Sequence, residues 1–179
     1  KADSLPRRSA QTAMYEVIEA LSRWLAPILS FTAEEIWQAI PGQRPSESVF
    51  LAEWYEFPPG QADEKMDDDY WQQVLEVREA VAKELERLRV AGGIGSSLDA
   101  EVVIYAGSEI HDKLCLLKDE LRFVLITSYA SVLRETKKTD DAIHFTLESG
   151  DEIWVSVSPS AHEKCVRCWH HREDVGSHK

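Results

Sequence analysis

The segment Gly92-Gly93-Ile94-Gly95-Ser96-Ser97 constrains the fold more than any other stretch, because the character of the chain changes across it. Before it, Tyr70, Val74, Val77, Val81, Leu85 and Leu88 recur at three-and-four spacing, the stripe of a long helix with one buried side, and Gly92-Gly93 supplies its stop. After it the pattern is mixed. Residues 100–105 (AEVVIY), 131–134, 143–147 and 153–157 read as strands, residues 108–127 as one helix or two, and Glu148-Ser149-Gly150-Asp151 as a hairpin turn. The chain therefore predicts a helical part followed by a small α+β part, with a domain boundary near Gly92–Ser97. The glycines do not make a phosphate loop: no G-K-[ST] follows them, and Leu98 stands where a dinucleotide fingerprint needs its third glycine.

Within the helical part, Met14, Val17, Ile18, Leu21, Trp24, Leu25 and Ile28 predict a helix over 7–29 with a buried face, ended or kinked by Pro27. Thr32, three residues before Glu35, has the spacing of a capping box for a second helix that runs to Pro41-Gly42. A tight Pro-containing turn makes these two an antiparallel pair. Residues 43–60 read as an irregular strap whose Phe50, Trp54, Tyr55 and Phe57 hold it to the bundle rather than forming a ligand platform. The acidic stretch 63–69 is read as a solvated helix start, where the helix dipole favours negative charge, rather than a cation site.

At 179 residues the chain holds one domain or two small ones, and no apolar run approaches the roughly 20 residues that cross a bilayer. With no signal-peptide layout at residues 1–11, the expectation is a cytoplasmic protein with no membrane partner. The net charge of -12 argues against a general nucleic-acid binder, since phosphates must be met by Lys and Arg. Any such contact must be local, and residues 159–179, with 4 Lys and Arg against 3 Asp and Glu, are the one region that is not acidic.

That tail also holds Cys165-Val166-Arg167-Cys168. A two-residue gap lets two thiolates on a tight turn reach one zinc ion, but tetrahedral zinc takes four ligands, so only half a site is written here. His162, His170, His171 and His178 are candidate completions, and the third cysteine, Cys115, is expected to be a buried apolar residue. A redox pair would need a preceding strand and a following helix, which Trp169-His170-His171 and Gly176 do not promise. No G-x-S-x-G, H-E-x-x-H or paired catalytic carboxylates occur, and His111 and His144 read as surface residues.

Several runs, taken in order, resemble a known family. Arg8-Ser9-Ala10-Gln11, Leu25-Ala26-Pro27-Ile28 and Phe31-Thr32-Ala33-Glu34-Glu35-Ile36-Trp37 resemble the anticodon-binding helical bundle of class I aminoacyl-tRNA synthetases for isoleucine, valine and leucine. Gly95-Ser96-Ser97-Leu98-Asp99-Ala100, Leu121-Arg122-Phe123 and Cys165-Val166-Arg167-Cys168-Trp169 narrow the resemblance to the C-terminal region of bacterial isoleucyl-tRNA synthetases. The resemblance implies the end of an anticodon-binding bundle over 1–65, a long helix with a mixed α+β junction domain over 66–158, and an incomplete zinc-binding module over 159–179. It implies a part that grips the anticodon stem and loop of isoleucine tRNA, acts as a monomer and has no catalytic residue of its own. The family's H-I-G-H and K-M-S-K-S motifs, which serve ATP and magnesium in a separate catalytic domain, are not in this sequence.

On this reading Arg7, Arg8, Lys164, Arg167, Trp169 and Arg172 are the candidate tRNA contacts, cations for phosphates and an aromatic face for a splayed base. Cys165 and Cys168 are two zinc ligands, and a second C-x-x-C that the family carries further on supplies the other two. A locally basic tail on an acidic body suits selective contact and suppresses indiscriminate binding. The competing readings are the corresponding region of a valyl- or leucyl-tRNA synthetase, and an acidic protein-interaction domain bearing a metal knuckle. A free-standing enzyme is disfavoured by the missing nucleophile and acid–base sets.

Overall fold

A computed structural model describes residues 3–58 and 65–177, and the chain divides into two units, Lys1–Gln61 and Ala62–Lys179. In the first, α1 (Leu5–Leu25) carries a proline in its opening turn, where the missing N–H costs nothing. It ends before Pro27 through backbone bonds from Ile28 and Leu29 to the Leu25 carbonyl. Helix α2 (Ser30–Ala39) then packs on α1. The capping box is not formed. Thr32 lies inside α2, whose N-cap is Leu29, because the turn after α1 already delivers the Leu29 carbonyl to the Ala33 amide at 2.8 Å.

The expected buried face of α1 is also corrected. Met14, Val17, Leu21, Leu25 and Ile28 are exposed, and the buried residues are Glu19, Ala20 and Ser22. The side of α1 turned to α2 is polar because Glu19 is neutralised there. Its carboxylate takes Arg23 at 2.6 Å and Arg44 from the following loop, and both guanidinium groups lie over the fully buried Trp37 ring, at 4.6 and 5.1 Å from its centroid. The strap after α2 is pinned by Trp37 Nε1 on the Ser46 carbonyl and by Glu34, which accepts from Ser48 and the Val49 amide. Its aromatics pack ring to ring around Trp24, with Trp54 and Phe57 each 5.8 Å away, while Tyr55 bonds Glu16. Phe50, Trp54 and Phe57 nevertheless remain more than half exposed.

The second unit starts with α3 (Asp68–Val90), capped by the Asp67 side chain on the Tyr70 amide at 2.9 Å. The acidic stretch falls here in part, positions 63 and 64 lying outside the described residues. Gly92 closes the helix at φ +77°, and a Cβ on Gly93 would stand 2.6 Å from Leu88 Cδ1. Strands β1 (Ala100–Ala106), β2 (Tyr129–Arg134), β3 (Ile143–Thr146) and β4 (Glu152–Pro159) form one sheet in the order β2-β1-β4-β3. The β1–β2 pair is parallel and is connected through α4 (Ser108–Cys115) and α5 (Leu121–Leu125); the other pairs are antiparallel.

Register places Val102 against Val157, Ile104 against Val155 and Ala106 against Ile153 on one face. That face shares a single core with Tyr70, Val74, Val77, Val81 and Leu85 of α3 and with Ile110, Leu114, Leu121 and Leu125 of the crossover helices. The expected domain boundary at Gly92–Ser97 is therefore a turn inside one unit. The stripe of α3 that marked the helical part is spent on the sheet, so the helix belongs with the strands that follow it. No helix among the described residues is long and apolar enough to cross a membrane.

Candidate nucleic-acid interface

After β4 the chain turns back over the N-terminal end of β1. The Ser160 amide bonds the Asp99 carbonyl at 2.8 Å and its hydroxyl bonds Glu101 at 2.6 Å. Residues 163–172 then fold into a narrow ribbon: Arg172 N–H to Glu163 C=O, a bridge between Lys164 and His171, Cys165 N–H to His170 C=O, and Trp169 N–H to Cys165 C=O. The last bond closes the C-x-x-C turn. It leaves Trp169 at φ +64°, a left-handed conformation that costs a bulky residue about 1–2 kcal/mol, and with its indole 63% exposed.

The ribbon is fastened to the sheet by two residues that sequence reasoning did not single out as functional. Ser128, buried in the turn before β2, accepts from the His171 amide at 2.6 Å while donating to the Leu98 carbonyl. Asp99 holds both sides: Oδ2 accepts from the Gly95 and Ser96 amides at 3.2 and 2.8 Å, and Oδ1 faces Lys164 Nζ at 3.4 Å and His171 Nε2 at 3.3 Å. Partial burial raises the Asp99 pKa, but the Ser96 amide, Lys164 and His171 outweigh it and hold the carboxyl below its ordinary 3.8. A depressed pKa means that this clamp is complete above about pH 4 and is lost as pH falls through the folded value. Asp99→Ala is expected to cost about 1 kcal/mol, the worth of a lost cap, and to speed amide exchange across 163–172. Asp99→Asn should keep most of the stability yet still loosen the ribbon. Unchanged exchange in both variants would show that the clamp is not what holds it.

The candidate residues separate on this frame. Arg7 and Arg8 lie exposed in the first turns of α1, in the first unit. In the ribbon, Lys164 is engaged by Asp99 and Arg172 by Asp174 at 3.0 Å, whereas Arg167 and Trp169 are exposed and make no ion pair among the described residues. The thiols of Cys165 and Cys168 share one tight turn. Hydrogen bonds from the Cys168 and Arg167 amides lower the Cys165 pKa below its ordinary 9.0, favouring the thiolate that a metal ligand requires.

No group of three His, Cys, Asp or Glu side chains is gathered for a metal among the described residues. His162 is directed to Glu101 and Glu173, each at 3.8 Å; His170 bonds the Cys168 carbonyl; His171 bonds the His162 carbonyl and Asp99. His178 lies outside the described residues. The donors present thus suit half a zinc shell. Cys115, expected to be buried, is exposed at the end of α4, with its sulfur 3.8 Å from the His111 ring.

Comparison with known proteins bears on the whole chain. A family model described as the anticodon-binding domain of tRNA ligase matches residues 1–104. The chain is 55% identical over 178 residues to an isoleucine–tRNA ligase of Thioalkalivibrio sulfidiphilus, covering 99% of this chain and 19% of that protein. It is 55% identical to the isoleucine–tRNA ligase of Nitrosococcus oceani over 180 residues, and 54% to that of Methylococcus capsulatus over 179, again covering 19% of each. The chain thus spans about a fifth of the length of the curated relatives it matches. With a family model matched over 1–104 and relatives 54–55% identical along essentially its whole length, the chain belongs to the anticodon-binding domain family of tRNA ligases.

Proposed function

We propose that this chain is the part of an isoleucine–tRNA ligase that grips the anticodon stem and loop of isoleucine tRNA, in the cytoplasm and as part of a monomeric enzyme. The parent activates isoleucine with ATP and magnesium in a catalytic domain whose motifs this sequence does not contain. The observation that carries the reading is the identity of 54–55% over essentially the whole chain to isoleucine–tRNA ligases, together with the family match over 1–104.

The chemistry asked of this chain is binding alone. Exposed Arg167, Arg7 and Arg8 meet phosphates, Trp169 offers a face for a base, and the acidic remainder of the surface repels RNA that lacks the right shape. Cys165 and Cys168 hold a zinc ion whose other two donors come from outside the described residues. That ion supplies structural closure of the ribbon and takes no part in acyl transfer.

The test is filter binding of labelled isoleucine tRNA and an unrelated tRNA at two salt concentrations. Preference for isoleucine tRNA, weakening as salt rises, is the expected result, and equal binding of both would sink the assignment. Trp169→Gly sharpens it, because glycine is at ease at φ +64° and the turn survives without the indole. Its affinity should fall by about tenfold, within the 1–3 kcal/mol that base–aromatic stacking contributes. For the metal, this 179-residue chain should yield its zinc readily to a chelator, and a longer polypeptide carrying the second C-x-x-C should not. Cys165→Ser should abolish uptake in both. Equimolar, chelator-resistant zinc in the 179-residue chain would mean that closing donors lie within it.

A further inference from the structure

In a chain of net charge -12, six arginines pair with carboxylates, while Arg7, Arg8, Arg78, Arg122 and Arg167 make no ion pair among the described residues. Of these five, Arg122 is the one laid on an aromatic ring. Its guanidinium lies over the ring of Phe123, 4.2 Å from the centroid, and Phe123 is itself 48% exposed. Phe123 also meets His170 edge-on at 5.5 Å, and His170 directly follows Trp169. A phenylalanine left half in water in the middle of α5, with a cation laid on it, gains little from burial. It does offer a flat, polarised surface continuous with the ribbon.

Arg122 also lines a cleft of about 410 Å³ between that ribbon and the edge strand β2, together with Glu101, Tyr129, His162, His171 and Arg172. The lining mixes cations with carboxylates, Asp119 and Glu173 among them. Such a wall opposes a bare phosphate or an acidic peptide, because the carboxylates repel an anion. It suits a neutral, planar ring that presents both N–H donors and carbonyl or ring-nitrogen acceptors. Carboxylates accept from the donors, guanidinium and imidazole groups donate to the acceptors, and the Arg122–Phe123 stack covers a π-face.

We propose that the Arg122–Phe123 stack and the adjoining cleft form a seat for one unpaired nucleobase of an RNA loop. This rests on the tRNA reading above, and adds to it a position that lies outside the ribbon. Arg122 acts through its planar group as much as through its charge, so a lysine there is a poor substitute.

The experiment uses the whole 179-residue chain and the anticodon stem-loop of isoleucine tRNA, with 2-aminopurine placed in turn at each loop position. In the unsubstituted protein one loop position should lose fluorescence on binding, as a base does when it stacks. Phe123→Leu and Arg122→Ala should weaken binding by about tenfold and abolish that quench, with melting curves unchanged because both side chains sit at the surface. Arg122→Lys should lose the quench and most of the affinity, while the dependence of binding on salt stays the same. If Arg122→Lys binds and quenches like the unsubstituted protein, only charge matters and the seat is wrong. If the protein binds the stem-loop but Phe123→Leu and Arg122→Ala bind equally well, the seat is wrong and the tRNA reading stands. If the unsubstituted protein binds neither the stem-loop nor intact tRNA, the reading falls and takes the seat with it.

Discussion

Glu19→Ala should unfold the first unit at room temperature or bring it to the edge of unfolding. Glu19 is an acid in the middle of a helix with its side chain only 5% exposed, tolerable because Arg23 and Arg44, themselves 11% and 13% exposed, neutralise it over the Trp37 ring. Removing the carboxylate leaves two guanidinium groups enclosed without a counter-charge. Breaking one side of such a cluster costs about 3–5 kcal/mol. Folded proteins hold only about 0.05–0.15 kcal/mol per residue, so this is comparable with the whole stability of a unit of this size. The readout is the near-ultraviolet circular dichroism and urea midpoint of the full chain. A midpoint within error of the parent would show that the arginines find other partners.

The same cluster gives the unit a signed pH dependence. Burial pushes the Glu19 carboxyl up, but the hydrogen bonds from Arg44 and Arg23 outweigh it and hold the pKa below the ordinary 4.5. The unfolded chain therefore binds the proton more readily than the folded one. Stability from this group is complete above about pH 5 and drains away as pH falls through the depressed folded value. In Glu19→Gln that acid-side loss should shrink, because the titrating group is gone.

Val81→Asp should have the second large effect, on the other unit. Val81 is 1% exposed and sits in the middle of the stripe that α3 lays on β1 and β4. A carboxylate there has no cation to meet and must either stay charged in an apolar core or hold a proton at the expense of its own pKa; either way several kcal/mol are lost. Because Val74, Val77, Ile104, Leu114 and Ile153 share that core, helix and sheet should melt together. The fluorescence of Trp154 in β4 and the helical ellipticity should be lost in one transition. A melt unchanged from the parent would mean that this side of α3 is not core.

The apolar repeat of α1 predicts its buried side by the rule that large hydrophobic side chains avoid water. The structure turns Met14, Val17 and Leu21 outward and buries Glu19 and Ser22 instead. Nothing in the periodicity of α1 could show this, because what makes Glu19 buriable is Arg44, twenty-five residues away and brought in by the strap. The long helix α3 makes the complementary point. Its span, cap and stop were legible from Asp67, the apolar repeat and Gly92-Gly93, all of which are local. Its partner was not, since a stripe says that something must cover it and not what; the cover proves to be the sheet formed by the residues that follow.

The interface divides in the same way. Cys165 and Cys168 could be found by their spacing, and Arg167 and Trp169 by their place beside them. Lys164 and Arg172 stand beside them in the sequence as candidate tRNA contacts, and in the fold each faces a carboxylate, Lys164 that of Asp99 far back in the chain and Arg172 that of Asp174. That Asp99 and Ser128 fasten the ribbon, and that Arg122 lines a cleft beside it, carries no local mark. Sequence alone determined what depends on neighbours along the chain: where helices start and stop, where strands alternate, and where two thiols fall on one turn. Tertiary structure alone decided which charges are spent on one another and which remain for a ligand, because the pairing energy of a charge depends on distance in space and on shielding from water, and neither is set by position in the chain.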